Sequence, residues 1–227
     1  MTKILAIDTS ALTASCAVLN EATVLGSVSF TCGLNHSQTI MPMVDFLLKC
    51  IGFEPKDIDI FACANGPGSF TGLRIGIGTV KGLAFGAGKK TVGVSTLKAL
   101  AYNVPETDYL ISPIMDARRN QVYNALYRYK NGKITEVCAP RALSLADLLA
   151  EINEKTIFVG DGVSVHRNYI SDALYGKAVF AQPNICLSSA ASVALAAAGE
   201  EGTDCENLEA VYLRKSQAER LREGGKD

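Results

Sequence analysis

The stretch GPGSFTG at residues 66–72 directly follows an apolar run, residues 58–64, that predicts a buried β-strand. Two glycines flank Pro67 at the turn, and Ser69 stands where it can cap a helix that extends to about residue 87. Free backbone amides at the start of such a helix are suited to receive an anion. A buried strand, a glycine-rich turn and a helix in this order predict an α/β fold.

Generic nucleotide-binding loops do not account for this stretch. Thr71 occupies the place of the last glycine in a dinucleotide-binding GxGxxG turn, and no acidic residue lies about 20 positions further on. The phosphate loop GxxxxGK[ST] is also absent, because Leu83 stands at its first glycine and Lys90 at its final hydroxyl residue. The turn therefore indicates some other α/β architecture.

The order of predicted elements repeats after residues 103–108. Asp8 ends the first strand of one half and Asp116 ends the first strand of the other, and the turn at Gly66 has a counterpart at Gly160. Each half is predicted as β-β-β-α-β-α, which indicates a duplicated fold of two lobes, residues 1–106 and 107–227. The predicted strands are 3–9, 15–19, 23–30, 58–64, 91–94, 109–115, 121–129, 134–138 and 156–159, and the predicted helices are 40–51, 69–87, 96–102, 144–152 and 188–198.

The composition narrows the class of protein. The 227 residues include 22 basic and 23 acidic side chains, which argues against a protein that holds nucleic acid mainly by neutralising phosphates. The N-terminus lacks the apolar core of a signal peptide, and no uncharged apolar stretch reaches the roughly 18 residues of a membrane helix. The seven cysteines include no CxxC pair and are expected to be reduced. We therefore expect a cytoplasmic protein with no membrane partner.

Five glycines recur at i, i+4 spacing along the helix after the turn: Gly72 and Gly76, then Gly78, Gly82 and Gly86. Each glycine in a helix interior costs roughly 1 kcal/mol relative to alanine, so the set implies a need for close backbone approach. Packing within the fold and packing against a partner helix both meet that need. The two can coexist on different faces of the helix.

The predicted helix at residues 40–51 has more apolar surface than one core-facing stripe requires. Met41, Met43, Phe46 and Leu47 contribute to the surplus, and methionine adapts well to partner surfaces. The pattern leaves open both a core stripe and a partner surface.

The Asp8-Thr9-Ser10 turn resembles the first phosphate-contacting turn of the actin, sugar-kinase and Hsp70 superfamily. There, amides and hydroxyls face a nucleotide phosphate and the carboxylate holds a metal ion through water. The alternative is a strand end whose side chains satisfy turn amides. The corresponding Asp116-Ala117-Arg118-Arg119 turn has no glycine to let the backbone approach a phosphate, although Arg118 or Arg119 could contact one through its guanidinium.

Eight motifs in order along the chain resemble the bacterial TsaB (YeaZ) family. They are ILAIDTS at 4–10, HS at 36–37, GPGSFTGLRIG at 66–76, KGLA at 81–84, GVSTLKALA at 93–101, DARR at 116–119, GDG at 160–162 and YLR at 212–214. The resemblance implies the actin-like (ASKHA) fold of two lobes. It also implies a role in making N6-threonylcarbamoyladenosine (t6A) at position 37 of tRNAs that read codons starting with A.

The resemblance further implies a non-catalytic subunit that pairs with the catalytic relative TsaD through the helices at 36–51 and 69–87. The implied interface residues are Met41, Met43, Phe46, Leu47, Phe70, Arg74, Gly78 and Gly82. A homodimer through the same surface is expected in isolation. TsaE is the expected ATPase partner that uses ATP, and tRNA is expected only as part of the assembly. No cofactor is expected for this chain alone.

The metal centre of TsaD is not expected in this chain. TsaD binds its metal through an HxxxH pair, and Thr96 and Leu100 occupy the two corresponding places here. No catalytic residue and no metal ligand are therefore predicted. The Asp8-Thr9-Ser10 turn and Asp116 remain candidates for a vestigial nucleotide site.

An autonomous enzyme is the alternative function. Asp8 and Asp116 motivate a nucleotide-dependent enzyme of the actin-like superfamily. A glycoprotease-like peptidase gains no support from a chain whose histidines are His36 and His166. A basic C-terminal segment, which includes Lys215, is diluted by acidic residues, and a weak tRNA contact there is a hypothesis.

Overall fold

Two five-stranded mixed β-sheets organise the structure, a computed structural model that describes residues 2–33 and 35–214. The strands are β1 (Lys3–Asp8), β2 (Ala14–Asn20), β3 (Thr23–Phe30), β4 (Ile60–Gly66), β5 (Lys90–Ser95), β6 (Leu110–Asp116), β7 (Gln121–Lys130), β8 (Lys133–Ser144), β9 (Thr156–Val159) and β10 (Ala178–Phe180). The helices are α1 (His36–Ile51), α2 (Phe70–Ala87), α3 (Thr96–Ala101), α4 (Leu145–Glu151), α5 (Gly162–Ala173), α6 (Pro183–Cys186) and α7 (Ala190–Ala197). Lys215 and the rest of the basic segment after Arg214 lie outside the described residues.

The two sheets share one topology. The first has the order β3-β2-β1-β4-β5, and the second has the order β8-β7-β6-β9-β10. In each sheet the first strand of the half, β1 or β6, pairs antiparallel with the next strand and parallel with the fourth. The predicted duplicated α/β fold is therefore confirmed. Within the described ranges, no helix is both long and apolar enough to cross a bilayer.

The second half contains two elements that the sequence pattern did not predict. Helix α5 buries Val163, His166 and Ile170 along one narrow stripe and exposes the remaining turns. Strand β10 has three residues, fewer than an alternating pattern needs to be recognised. Strand β8 also extends to Ser144, beyond the predicted end at residue 138. With β10 added, the second half has five strands, as the first half does.

The two halves exchange a helix. Helix α7 comes late in the chain but packs against β1, β2 and β4 of the first sheet, and the Ala190 amide donates to the buried Ser15 hydroxyl at 2.9 Å. Helix α3 comes from the first half and places Leu97 and Leu100 in the core of the second sheet. The predicted lobes 1–106 and 107–227 are therefore interlocked. Periodicity identified both helices, but it contains no information about which sheet a helix covers.

Helix α2 begins in close contact with the turn after β1. A Cβ atom built on Gly72 would lie 2.0 Å from the Thr9 carbonyl oxygen, and one on Gly76 would lie 2.6 Å from the Thr9 hydroxyl oxygen. The Thr9 hydroxyl donates to the Gly72 carbonyl at 2.8 Å, and the Ser69 amide donates to the Ser10 carbonyl at 2.7 Å. Ser69 caps the helix as predicted, because its hydroxyl accepts from the Gly72 amide. Glycine is required on this face for steric reasons.

The remaining three glycines of α2, which we call the outer glycines, are exposed. A Cβ atom on Gly78, Gly82 or Gly86 would meet no atom within 4 Å. The expectation of internal packing is thus confirmed for Gly72 and Gly76. For the outer three glycines no contact with residues 2–33 or 35–214 compensates for the conformational cost, and a partner surface stays a prediction.

Alanine substitutions on the two faces of α2 should have opposite effects on the free energy of unfolding. Gly72→Ala should lower it by about 1–3 kcal/mol, because the new methyl group overlaps the Thr9 carbonyl. Gly78→Ala, the matched control in open space, should raise it by about 0.5–1 kcal/mol through helix propensity. Urea unfolding of both variants measures the two changes. Equal effects at the two positions would show that the close contact does not constrain α2.

Candidate functional site

An apolar surface lies on the outer sides of α1 and α2. Met41 is 44% exposed, Phe46 is 59% exposed and Phe85 is 78% exposed, which are high fractions for large apolar side chains. Between the two helices runs a groove of about 220 Å³, to which Met41 contributes from α1 and Leu83 from α2. The outer glycines of α2 lie on the same exposed side of that helix as Phe85. We refer to Met41, Phe46, Gly78, Gly82 and Phe85 as the α1–α2 face.

Two residues predicted for the partner interface are instead part of the core. Met43 is 4% exposed and Leu47 is 3% exposed, and a Leu47 methyl carbon fills the space beside Gly26 on β3. Met43 and Leu47, which the resemblance implied at the interface, are therefore not exposed positions. The helix is apolar over more than half of its circumference, so the sequence could not show which side faces the sheet. Of the predicted α1 residues, Met41 and Phe46 remain on the surface.

The predicted interface residues Phe70 and Arg74 contact the chain's own C-terminal segment. The Tyr212 ring stacks on Phe70 with 4.6 Å between centroids, and the Arg74 guanidinium lies 4.0 Å from the Phe70 centroid on α2. Arg74 Nε also donates to the Tyr212 hydroxyl at 3.4 Å. Site prediction from the sequence missed Tyr212, although the YLR motif to which it belongs was part of the family resemblance.

A cleft of about 720 Å³ separates the two sheets. Its lining comes from both halves of the chain, including Ser10 after β1, Phe70 at the start of α2, and Asp116 at the end of β6. The C-terminal segment from Val211 to Arg214 forms part of its wall. This cleft is where a nucleotide site of the actin-like type was anticipated.

The Asp8-Thr9-Ser10 turn is largely occupied by contacts within the protein. Asp8 Oδ1 accepts hydrogen bonds from the Ser10 amide at 2.8 Å and from the Ser10 hydroxyl at 2.6 Å. The Thr9 hydroxyl is directed at Gly72, as described above. Burial raises the pKa of the Asp8 carboxyl, whose Oδ2 has no hydrogen-bond partner among the described residues. Of the three side chains, Ser10 alone lines the cleft, so the turn mainly supports the start of α2.

Asp116 faces the cleft next to a second buried acid. The Asp116 amide donates to Asp161 Oδ1 at 3.2 Å, and Asp116 Oδ1 accepts from the Arg118 amide at 2.9 Å. Burial, and secondarily the neighbouring Asp116 charge, raises the pKa of Asp161. His166 Nε2 lies 3.9 Å from Asp116 Oδ1. Asp116 thus borders the cavity, whereas Asp8 is not part of its lining, and a vestigial nucleotide site that includes both acids stays a prediction.

The two residues at the positions that correspond to the metal-binding histidines of TsaD are buried in this chain. Thr96 and Leu100 are 0% and 2% exposed, and Leu100 belongs to the core between the two halves. Across residues 2–33 and 35–214, no three Asp, Glu, His or Cys side chains are grouped so that they could hold a metal ion. His36 lies one position after the N-cap Asn35, and its Nε2 donates to the Ala11 carbonyl at 2.9 Å.

The C-terminal segment from residue 208 to residue 214 joins the two halves across one side of the cleft. The Val211 amide donates to the Asn65 carbonyl at 2.7 Å, and Val211 packs so closely on the turn after β4 that a Cβ on Gly66 would lie 2.1 Å from its carbonyl oxygen. At the far end, Arg214 Nη1 donates to the Ala117 carbonyl at 2.7 Å. The segment therefore forms hydrogen bonds with both halves, at β4 of the first sheet and next to β6 of the second.

Comparison with known proteins identifies the family. The protein from Bacillus subtilis (strain 168) described as tRNA threonylcarbamoyladenosine biosynthesis protein TsaB is 39% identical over 219 residues, which is 95% of this chain and 96% of that protein. A family model described as TsaD, tRNA N6-adenosine threonylcarbamoyltransferase, matches residues 26–224. The chain belongs to the TsaB (YeaZ) family. A TsaB protein takes part in t6A biosynthesis, and this is the process to which the chain is assigned.

Solved structures agree with the TsaB assignment. YeaZ from Pseudomonas aeruginosa superposes with a TM-score of 0.78 at 28% identity, over 94% of this chain and all of that one. The ethanolamine utilization protein EutJ from Carboxydothermus hydrogenoformans, at a TM-score of 0.53 and 12% identity over 86% of this chain and 90% of its own, shares the fold alone. The predicted actin-like (ASKHA) fold is confirmed.

Replacing Asp8 by asparagine should flatten the dependence of stability on pH. Since burial raises the pKa of Asp8 in the folded state, the folded form binds this proton more tightly than the unfolded form does. Stability from this group is therefore lost as pH rises from the unfolded pKa, near 3.8, through the raised folded pKa. Asp8→Asn should raise the melting temperature more at pH 7 than at pH 4, measured by calorimetry against wild type. The same difference at both pH values would contradict the raised pKa.

Proposed function

We propose that this TsaB chain is a non-catalytic, cytoplasmic partner subunit that binds TsaD through the α1–α2 face and helps to recruit the ATPase TsaE. One observation carries the proposal: α2 has an exposed stripe of glycines beside large exposed apolar side chains. Neither feature is compensated by a contact within the part of the chain that the structure describes. A helix of another subunit, packed closely along the stripe, would compensate for both.

The α1–α2 face has a free-energy cost for the isolated chain. Gly78, Gly82 and Gly86 each lower helix stability by roughly 1 kcal/mol relative to alanine, and none of the described residues lies close enough to require glycine there. Phe46 and Phe85 add exposed aromatic surface that would gain free energy on burial. Small residues allow two helix backbones to approach, and the flanking aromatic rings supply buried area. This combination favours a helix-pair partner over a small ligand.

The same surface also accounts for a homodimer. A second copy presents an identical α1–α2 face, so two chains can pair through a twofold axis when TsaD is absent. A face used by both partners makes homodimer and heterodimer mutually exclusive. We expect TsaD to compete with self-association.

Absence of catalysis by this chain is part of the proposal. Thr96 and Leu100 are buried in the places where TsaD has its metal-binding histidines, and the hydroxyls of Thr9 and Ser10 are directed to atoms of the protein itself. These features support a division of labour in which TsaD transfers the threonylcarbamoyl group and TsaE hydrolyses ATP. The chain would need no cofactor of its own, and tRNA would meet it within the assembly.

Phe46→Glu should abolish pairing with TsaD while the chain stays folded. Phe46 is more than half exposed, so the monomer tolerates a charge there, whereas burying that charge in an interface is costly. Tyr175→Glu, at a residue 93% exposed in the second half, is the matched control and should pair as wild type does. Co-elution with cognate TsaD in size-exclusion chromatography measures pairing, and t6A formation with TsaD and TsaE measures function.

The reconstitution also discriminates the autonomous-enzyme alternative. The proposal expects no ATP or peptide hydrolysis by the isolated chain and t6A only on mixing with TsaD and TsaE. Hydrolysis by the purified chain that is lost in Asp116→Ala would favour the alternative. Wild-type pairing by Phe46→Glu would overturn the α1–α2 face as the docking surface.

A further inference from the structure

The turn between β6 and β7 has an unusual backbone. Arg118, Arg119 and Asn120 all have positive φ, at 65°, 56° and 56°. The left-handed region costs a residue with a side chain roughly 1 kcal/mol or more, and glycine or asparagine is the usual choice. Two successive arginines therefore occupy positions where glycine would be more stable. The shape of the turn does not explain the choice of arginine.

Contacts from two parts of the chain hold this turn in place. Within the turn, Asp116 Oδ1 accepts from the Arg118 amide at 2.9 Å, and the Gln121 amide donates to the Arg118 carbonyl at 3.1 Å. From the C-terminal segment, Arg214 Nη1 donates to the Ala117 carbonyl at 2.7 Å. The turn is thus fixed both by its own strand and by a segment nearly 100 residues later in the sequence. Fixed geometry lowers the entropy lost when a ligand binds.

The Arg118 side chain is accessible and weakly engaged. It is 88% exposed, and its Nη1 lies 3.5 Å from Asp116 Oδ2. An ion pair this exposed contributes little stability, so a phosphate oxygen could replace the carboxylate at small cost. Arg118 and Arg214 both line the interlobe cleft. Two guanidinium groups are thereby placed along one opening.

The surroundings of the two arginines favour an RNA phosphate over a carboxylate of a partner protein as their ligand. Tyr123 and Tyr212 line the same cleft, and aromatic rings beside arginines are typical of sites that bind unpaired nucleotides. The N-termini of α2 and α5 also border the cleft, and their free amides add positive potential. The carboxyls of Asp116 and Asp161 oppose this potential, which limits the contact to a local one.

We propose that the turn at residues 117–120 contacts the phosphate backbone of the tRNA substrate, with Arg118 as the principal contact and Arg214 as the residue that positions the turn. The inference rests on the proposed function, because it requires tRNA to meet this chain within the assembly. It adds a substrate contact on the subunit that performs no chemistry. The near-neutral net charge of the chain is compatible with one or two local contacts of this kind.

Glycine at position 118 separates the charge from the fold of the turn. Because φ is 65° at this position, Arg118→Gly relieves strain and should leave the chain at least as stable as wild type. Arg118→Lys keeps the charge and should retain most of the binding. Lys133→Ala, which removes one charge at the β7–β8 hairpin, is the matched control. Each variant is assembled with cognate TsaD before measurement.

The probe is an unmodified tRNA transcript that reads a codon starting with A, and filter binding over a series of salt concentrations gives the dissociation constant. Arg118→Gly should weaken binding and reduce the slope of log affinity against log salt by about 0.7–0.9, the value for one lost phosphate contact. Lys133→Ala should leave the slope at its wild-type value.

Two results would overturn the inference. One is an unchanged slope and affinity for Arg118→Gly, and the other is loss of TsaD co-elution with unchanged tRNA affinity, which would assign the arginine to an acidic protein partner. Failure of the proposed function itself is distinguishable, because t6A formation would then be independent of adding this chain.

Discussion

The contact between Thr9 and the first two turns of α2 determines how this helix is presented. Gly72 and Gly76 allow the turn after β1 to approach to a distance that any side chain would block. The Thr9 hydroxyl then donates to the Gly72 carbonyl of α2. The Ser10 carbonyl accepts a hydrogen bond from the amide of Ser69, which caps the helix. Because one face of α2 is fixed in this way, the outer glycines and Phe85 are held toward solvent.

This contact also determines where the side chains of the turn that resembles a phosphate-binding loop are directed. The hydroxyls of Thr9 and Ser10 are directed to Gly72 and Asp8, and Asp8 itself is buried away from the cleft wall. The C-terminal segment lies on the turn at Gly66 and lines the same cleft. The turn thus supports the start of α2, while the arginine turn of the second half lines the cleft.

Much of the architecture could be predicted from periodicity, capping residues and turn residues, because these are local properties of the chain. The duplication and the cap at Ser69 belong to this class. The orientation of α1 could not be predicted, since Met43 and Leu47 are as apolar as Met41 and Phe46 and only packing against Gly26 and the sheet distinguishes them. The stacking of Tyr212 on Phe70 is equally invisible in the sequence, because it joins segments that are far apart in the chain.

Hydrogen–deuterium exchange of this chain alone, at a concentration where it is monomeric, and bound to cognate TsaD tests the docking account most directly. Amides in the exposed turns of α1 and α2, around Phe46 and Phe85, should gain protection on binding. Amides of the Asp8–Ser10 turn should be protected in both states, because their contacts are internal. Protection gained instead on α5 or in the cleft between the sheets, with α1 and α2 unchanged, would contradict the account.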